Sequence, residues 1–399
     1  MKLPLSWLSE FMEINHSVDE YVEMLNQLGL EVEGVEEVGE EISGVILVDV
    51  LETHPHPNAD KLKLVDIDTG KEKKQIVCGA PNVRAGLKVP YAPSGATLPG
   101  GFTLSEKEIR GIVSDGMLCS PRELGLGEDH SGIYELPSDA PVGGDAVEYL
   151  QLRDTIIDLS ITPNRPDAMS IVGLARELCA AFNQKIKLPN LDNMLKSIEV
   201  DSTLPKPQVA IEDDEKCPRL VAAVASVETG PSPIWMSRRL NKVGVRSISN
   251  VVDVTNYVLM EWGRPLHAFD LESLGEAHII AKRAADGEKT LSLDGVEREL
   301  TNDDLVIADS KGVTQAIAGV MGGATSEVHE NTKLTLIESA YFQPETISRT
   351  SKRLGLRSEA SARFERGIDP NFTLYGVHRA LQLLAEVANA KMADAITDV

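Results

Sequence analysis

K-L-K-L-V-D-I-D, residues 61–68, sets Leu62, Leu64, Val65 and Ile67 in near alternation with charged side chains. That is the pattern of a strand buried on one face. Outward from it, Gly44 to Val50 is an apolar run, and Gln75 to Val77 and Leu87 to Pro90 supply further short strands. Gly70, Gly79, Gly86, Gly95, Gly100, Gly101, Gly111 and Gly116 punctuate them. Many short strands separated by turn residues predict a small closed or half-closed β-barrel over residues 41–148.

The flanks differ. In residues 1–40, Ser17-Val-Asp-Glu20 is a capping box, in which hydroxyl and carboxylate each satisfy a free N–H of the first turn. Val18, Tyr21, Val22, Leu25 and Leu28 then give one apolar face, with Gly29 as the stop. After the barrel come a strand, Thr155 to Ile161, the rigid turn T-P-N-R-P-D (Thr162 to Asp167), and a helix from Ser170 to Phe182. These two helical pieces are expected to pack together, which makes the barrel an insertion. Residues 149–207 are then the return to the N-terminal unit and a linker bearing Pro189, Pro205 and Pro207. Residues 208–399 mix strands (Leu220 to Val227, His278 to Lys282, Leu305 to Ala308, Lys333 to Ser339) with helices at Pro344 to Leu354 and Tyr375 to Val387. Ser232-Pro233 reads as a cap followed by the first residue of another helix, ending near Gly244. The expected class is multidomain α+β.

At 399 residues the chain exceeds one ordinary core, so two to four domains are expected. A hydrophobic content of 42% excludes a disordered chain. Cys78, Cys119, Cys179 and Cys217 lie far apart without zinc-type spacing and read as reduced core residues. The opening MKLPLSWLSEF is not a signal peptide, and no run approaches 18 apolar residues, so a cytoplasmic chain without membrane contact is expected. The net charge of −23 argues against broad nonspecific nucleic-acid binding. It leaves room for one local patch, such as the stripe Arg349, Lys352, Arg353, Arg357, Arg363 and Arg366.

Three patterns in the last domain combine turn glycines, compact polar groups and apolar neighbours: P-L-H-A-F-D (Pro265 to Asp270), A-G-V-M-G-G (Ala318 to Gly323) and L-I-E-S-A-Y-F (Leu336 to Phe342). They predict a pocket. Taken singly, His267 reads equally as a satisfied core or loop histidine, and Glu338 as a helix-start or edge carboxylate. The double glycine reads as a tight turn, and Thr255 and Asn256 as a cap or side-chain turn. On the barrel, Asn58, Lys61, Lys63, Asn82 and Arg84 are candidate nucleic-acid contacts, while K-E-K-K at 71–74 reads equally as a solvated turn. No metal site is assigned.

The order of these motifs carries a resemblance. H-P-N-A-D-K-L, I-V-C-G-A-P-N and I-R-G-I-V-S-D-G-M-L-C-S resemble the tRNA-binding barrel of several synthetases and their accessory proteins. With P-L-S-W-L, T-P-N-R-P-D, R-P-L-H-A-F-D, M-G-G, L-I-E-S-A and R-F-E-R-G, the chain resembles the N-terminal half to three-fifths of bacterial phenylalanyl–tRNA synthetase β subunits. The resemblance implies a small helical unit with an inserted OB-fold barrel, followed by a B3/B4-type editing domain that hydrolyses tyrosine wrongly attached to tRNA(Phe). It implies a catalytic set of His267, Glu338, Thr255, Asn256 and Gly322, with Glu338 accepting a hydrogen bond from the tyrosine hydroxyl. Pro265 would line the pocket, and Ser358 and Ala360 would lie near the terminal adenosine. Asn58, Lys61, Lys63, Asn82 and Arg84 would contact tRNA. The partner implied is the α subunit, in an α2β2 assembly. ATP and magnesium belong to the complete synthetase, and no cofactor is expected in this chain, which by itself should not charge tRNA. Hydrolysis would use a positioned water, since no Ser–His–Asp order or zinc pattern is present. The competing reading is a non-catalytic tRNA-binding and assembly scaffold.

Overall fold

The computed structural model describes residues 1–127 and 129–399. They form two compact units, one of residues 1–34 with 157–399 and one of residues 35–156. The partition is coarser than the four segments expected, since most of 1–40 and 149–207 shares a unit with 208–399.

In the unit of residues 35–156, five antiparallel strands pair in the order Met117–Leu118, Lys88–Ala92, Ile46–His56, Ala59–Asp68, Lys73–Cys78. The near alternation at 61–68 resolves into two faces: Val65 and Ile67 are fully buried beside Val48, Ile76 and Val89, while Leu62 and Leu64 are half-buried on the other side. By backbone pairing the sheet is open: of the closed or half-closed barrel expected, no closing ladder is found among the described residues. Toward the strand Lys73–Cys78, the Ser114 hydroxyl accepts the Val77 N–H at 3.1 Å, a side chain standing where a barrel would have a backbone rung. Gly116 makes the last strand possible. Its φ is +109°, and a Cβ there would lie 2.2 Å from the Ala92 carbonyl oxygen, so only glycine admits the turn into Met117.

The other unit is built on two sheets. An antiparallel four-stranded sheet runs Leu266–Asp270, Leu334–Tyr341, Arg219–Ser226, Lys391–Asp398. A five-stranded sheet runs Gln208–Ile211, His278–Arg283, Leu305–Ala308, Thr314–Ile317, Met321–Gly322. The central strand Arg219–Ser226 reads as a continuous apolar run from Leu220 to Ala225 because both of its faces are covered. Val221, Ala223, Ala268 and Ile337 share a core with the helices Asn250–Trp262 and Thr373–Ala388 and with Trp7, Tyr21 and Leu25. The alternate positions Leu220, Ala222, Phe269 and Leu336 share a second core with Ile279, Val306 and Ile317 of the other sheet.

Local signals act where the sequence places them. The helix Val18–Gln27 carries the capping box between Ser17 and Glu20, and Tyr21 meets Phe182, just past the helix Ile171–Ala181, at 5.4 Å between rings. The Ser232-Pro233 signal is a half-correct guide. The helix does begin at Ile234, but its cap is Pro233, without a side-chain bond. The Ser232 hydroxyl goes instead to Asp253 at 2.5 Å, because that fully buried carboxylate needs donors and also takes the Ile248 N–H at 2.8 Å. Among the described residues, no helix is long and apolar enough to cross a membrane.

Candidate functional site

Strand register places the two central candidates opposite each other. In the antiparallel pair of Leu266–Asp270 with Leu334–Tyr341, His267 is the Cα partner of Glu338. Side chains so paired leave the sheet on the same face, with Cβ atoms about 5 Å apart. On its other side Glu338 faces Ala222, whose methyl offers no donor. The face is that of the second core, shared with Phe269 and Leu336.

Neither polar group is satisfied by the protein. Glu338 is 6% exposed, and its carboxyl makes no hydrogen bond or ion pair among the described residues. Burial alone pushes it up to about 8, so it is a neutral acid at pH 7. The His267 ring is half-buried, but its Nε2 is sealed from solvent without a partner. Burial holds this imidazole down at about 4, so it too is neutral. The ring rests edge-on against Phe269, with centroids 4.4 Å apart. An unpaired buried acid costs roughly 1–3 kcal/mol, which makes Glu338 a candidate functional group.

Gly322 lies against the His267 ring. A Cβ at this position would lie 2.4 Å from His267 Cε1 and 3.0 Å from Leu293 Cδ1. Gly323 is equally constrained, since its Cβ would fall 2.5 Å from the Gln315 carbonyl oxygen. Ser358 is tied to the same loop: its hydroxyl donates to the Val320 carbonyl at 2.8 Å and accepts the Ser361 N–H at 3.0 Å as a helix cap. Ala360 is half-buried one turn on, and Pro265 is buried two residues before His267.

Thr255 and Asn256 stand elsewhere. They lie on the helix Asn250–Trp262, whose Val251, Val254 and Val258 pack with Ala268 and Ile337 on the opposite face of the strands from Glu338. The Thr255 hydroxyl donates to the Val252 carbonyl at 2.7 Å, within its own helix. Leu293 joins the residues around Gly322: its N–H donates to the Gly322 carbonyl at 3.0 Å, and its side chain lies beside that glycine. Its sequence signal is an apolar residue directly before Asp294-Gly295, a dipeptide that favours a hairpin turn.

In residues 35–156, most candidate nucleic-acid contacts are engaged internally. Asn82 accepts the Ile133 N–H and donates to the Ile133 carbonyl, both at 2.9 Å, pinning two loops together. Arg84 pairs bidentately with Glu135 at 2.8 Å, Lys63 reaches the Val83 carbonyl at 2.9 Å, and Asn58 reaches the Arg110 carbonyl at 3.0 Å. Lys61 is exposed. A cavity of about 360 Å³ lies in this unit between Gly79–Pro81, Met117–Leu118 and His130–Ile133, away from His267 and Glu338. The basic stripe near residue 357 is also partly spent. Arg363 is buried, donating to the Met169 carbonyl and pairing with Glu359, and Arg353 pairs with Asp304.

Comparison with known proteins follows the same division. The B3/4 domain family model matches residues 216–389, and the putative tRNA binding domain model matches residues 45–145. The phenylalanine–tRNA ligase β subunit of Geobacter metallireducens is 48% identical over 401 aligned residues, covering 100% of this chain and 49% of that protein. The corresponding subunits of Syntrophus aciditrophicus and Bacillus cereus are 46% and 45% identical, each over 98% of this chain and 48% and 49% of their own length. A solved N-terminal fragment of the Pyrococcus horikoshii phenylalanyl-tRNA synthetase β subunit aligns over 62% of the chain at 17% identity, with a TM-score of 0.34. The chain thus spans about half the length of the curated relatives it matches. With end-to-end identity near one half and both domain models in place, the chain belongs to the bacterial phenylalanine–tRNA ligase β-subunit family, of which it represents the N-terminal part.

Proposed function

We propose that this chain contributes tRNA binding and hydrolytic editing to phenylalanine–tRNA ligase, releasing tyrosine wrongly attached to tRNA(Phe). The observation that carries the reading is Glu338, a buried and unpartnered carboxyl held opposite His267, whose ring lies against Gly322. Phenylalanine and tyrosine differ by one hydroxyl, and an apolar pocket rejects such an addition only by roughly 100-fold. A second site that pairs the hydroxyl reverses the preference. Tyrosine satisfies Glu338, whereas phenylalanine leaves it buried and unpaired, a difference of about 1–3 kcal/mol.

The protonation states shape the chemistry. As a neutral acid, Glu338 can both accept from the phenol and donate to it, so recognition needs no buried charge. As a neutral and weakly basic imidazole, His267 orients groups by hydrogen bonding rather than acting as a strong proton acceptor. With Glu338 binding the phenol, His267 beside it acts at the hydroxyl end of the substrate. Ester cleavage then falls to a positioned water, with Ser358 and Ala360 beside the terminal adenosine and Pro265 at the pocket wall. Thr255 and Asn256 support the strands from the helix behind them. In residues 35–156 the five-stranded sheet serves as an OB-type surface for tRNA, with the exposed Lys61 among its cations. ATP, magnesium and the α subunit serve the complete α2β2 synthetase, in which charging is carried out outside this chain.

The test is the rate at which the purified chain hydrolyses tyrosyl-tRNA(Phe), beside phenylalanyl-tRNA(Phe) and beside Glu338→Ala. Selective tyrosine release that the variant loses supports editing. Tyrosine release unchanged in the variant removes Glu338 from the reading, and tight tRNA binding without hydrolysis favours the scaffold.

A further inference from the structure

The strands Ile46–His56 and Ala59–Asp68 bring together three side chains that lie apart in the sequence. Glu52 and Asp66 are Cα partners across the antiparallel pair, and His54, two residues beyond Glu52, leaves the strand on the same face. The pairing shifts between Val50 and Glu52, an extra residue that re-aims the side chains following it. His54 Nε2 lies 3.1 Å from Asp66 Oδ2 and 3.5 Å from Glu52 Oε2, and one ligand atom from each of the three residues falls within 4.8 Å of the others.

We infer that Glu52, His54 and Asp66 form a divalent transition-metal site, with zinc as the ion its donors suit best. Donors held 2.0–2.1 Å from a tetrahedral zinc stand about 3.3 Å apart, and the two distances from the imidazole nitrogen bracket that spacing. One imidazole and two carboxylates suit zinc better than magnesium or calcium, which prefer oxygen alone. The two carboxylates balance the ion's charge, and exposed ligands leave its remaining position to water.

The surroundings hold the donors ready. Gln75 is the Cα partner of Asp66 on the next strand, and its Nε2 donates to Asp66 Oδ1 at 2.9 Å. This bond leaves Oδ2 turned toward His54, the role outer-sphere partners play around metal ligands. The site sits on the same strands as Lys61 and Lys63, so an ion there also reverses part of the acidity of that face.

Equilibrium dialysis of the full chain against zinc chloride, with metal counted per chain, tests the site. The residues are surface side chains, so His54→Ala, Asp66→Asn and Gln75→Ala should keep the wild-type far-ultraviolet dichroism. Expected are one saturable equivalent in the wild type and dissociation constants raised at least about tenfold by each substitution. Uptake below one equivalent at about 100 µM free zinc, or equal binding by His54→Ala, would overturn the assignment and leave His54 as an ion-pair partner only.

Discussion

Replacing Glu338 by glutamine should change how stability depends on pH, not merely its level. In the fold this carboxyl titrates at about 8, against an ordinary 4.5, because burial penalises its charged form. A raised folded value means that the native state holds a proton which the unfolded chain releases. The contribution is fully present below pH 4.5 and is lost as pH rises through 8. At about 1.4 kcal/mol per pH unit, the wild type gives up about 3 kcal/mol of stability between pH 4.5 and 7, and about 4 by pH 8. Glutamine has nearly the same shape and cannot ionise, so its curve lacks this loss. The stability difference between variant and wild type should therefore grow steadily across pH 5 to 8, whatever its offset at pH 5. Urea unfolding followed by tryptophan fluorescence isolates the correct unit, since Trp7, Trp235 and Trp262 all lie outside residues 35–156. Titrating groups distant from Glu338 cancel in the difference, because they are common to both proteins. Parallel curves, with a difference constant to about 0.5 kcal/mol over that range, would refute the reasoning and show that Glu338 is ionised and solvated.

His267 should behave in the opposite sense. Its folded value of about 4, against 6.5, gives stability that is present above pH 6.5 and lost as pH falls through 4. His267→Phe should abolish about 3 kcal/mol of that acid sensitivity in the same assay. Gly322→Ala drives a methyl into the imidazole and should cost about 1–3 kcal/mol and most tyrosyl-tRNA hydrolysis, with activity per folded chain as the check. Asn82→Ala leaves the Ile133 N–H and carbonyl without their partner, at about 1–3 kcal/mol. Hydrogen exchange should then show the Ile133 amide losing protection while amides of the other unit keep theirs. Arg379→Ala strands Glu261, which is 1% exposed and accepts two bonds from the guanidinium at 2.7 and 2.8 Å. A loss of about 3–5 kcal/mol is expected from urea unfolding.

The sequence by itself determined what lies within one turn or one strand. The Ser17–Glu20 box starts its helix, Pro344 opens the helix that ends at Leu354, and the alternation near Lys61 sends Val65 and Ile67 inward. Each is decided by a hydrogen bond or a side-chain period that spans only a few residues. The motifs also marked His267, Gly322 and Glu338 as belonging to one pocket, although spacing alone did not join them. Only the tertiary structure decided that His267 faces Glu338, 71 positions away, with a glycine beneath, because register depends on which strands pair. It alone took Arg353 and Arg363 out of the apparent basic stripe by pairing them with Asp304 and Glu359, and set Glu52, His54 and Asp66 on one face of a hairpin. Protonation belongs to the same class. Glu338 and His267 are ordinary titrating groups in an extended chain; folding removes the water that would stabilise their charges, so Glu338 becomes neutral at pH 7 and His267 stays neutral down to acid pH.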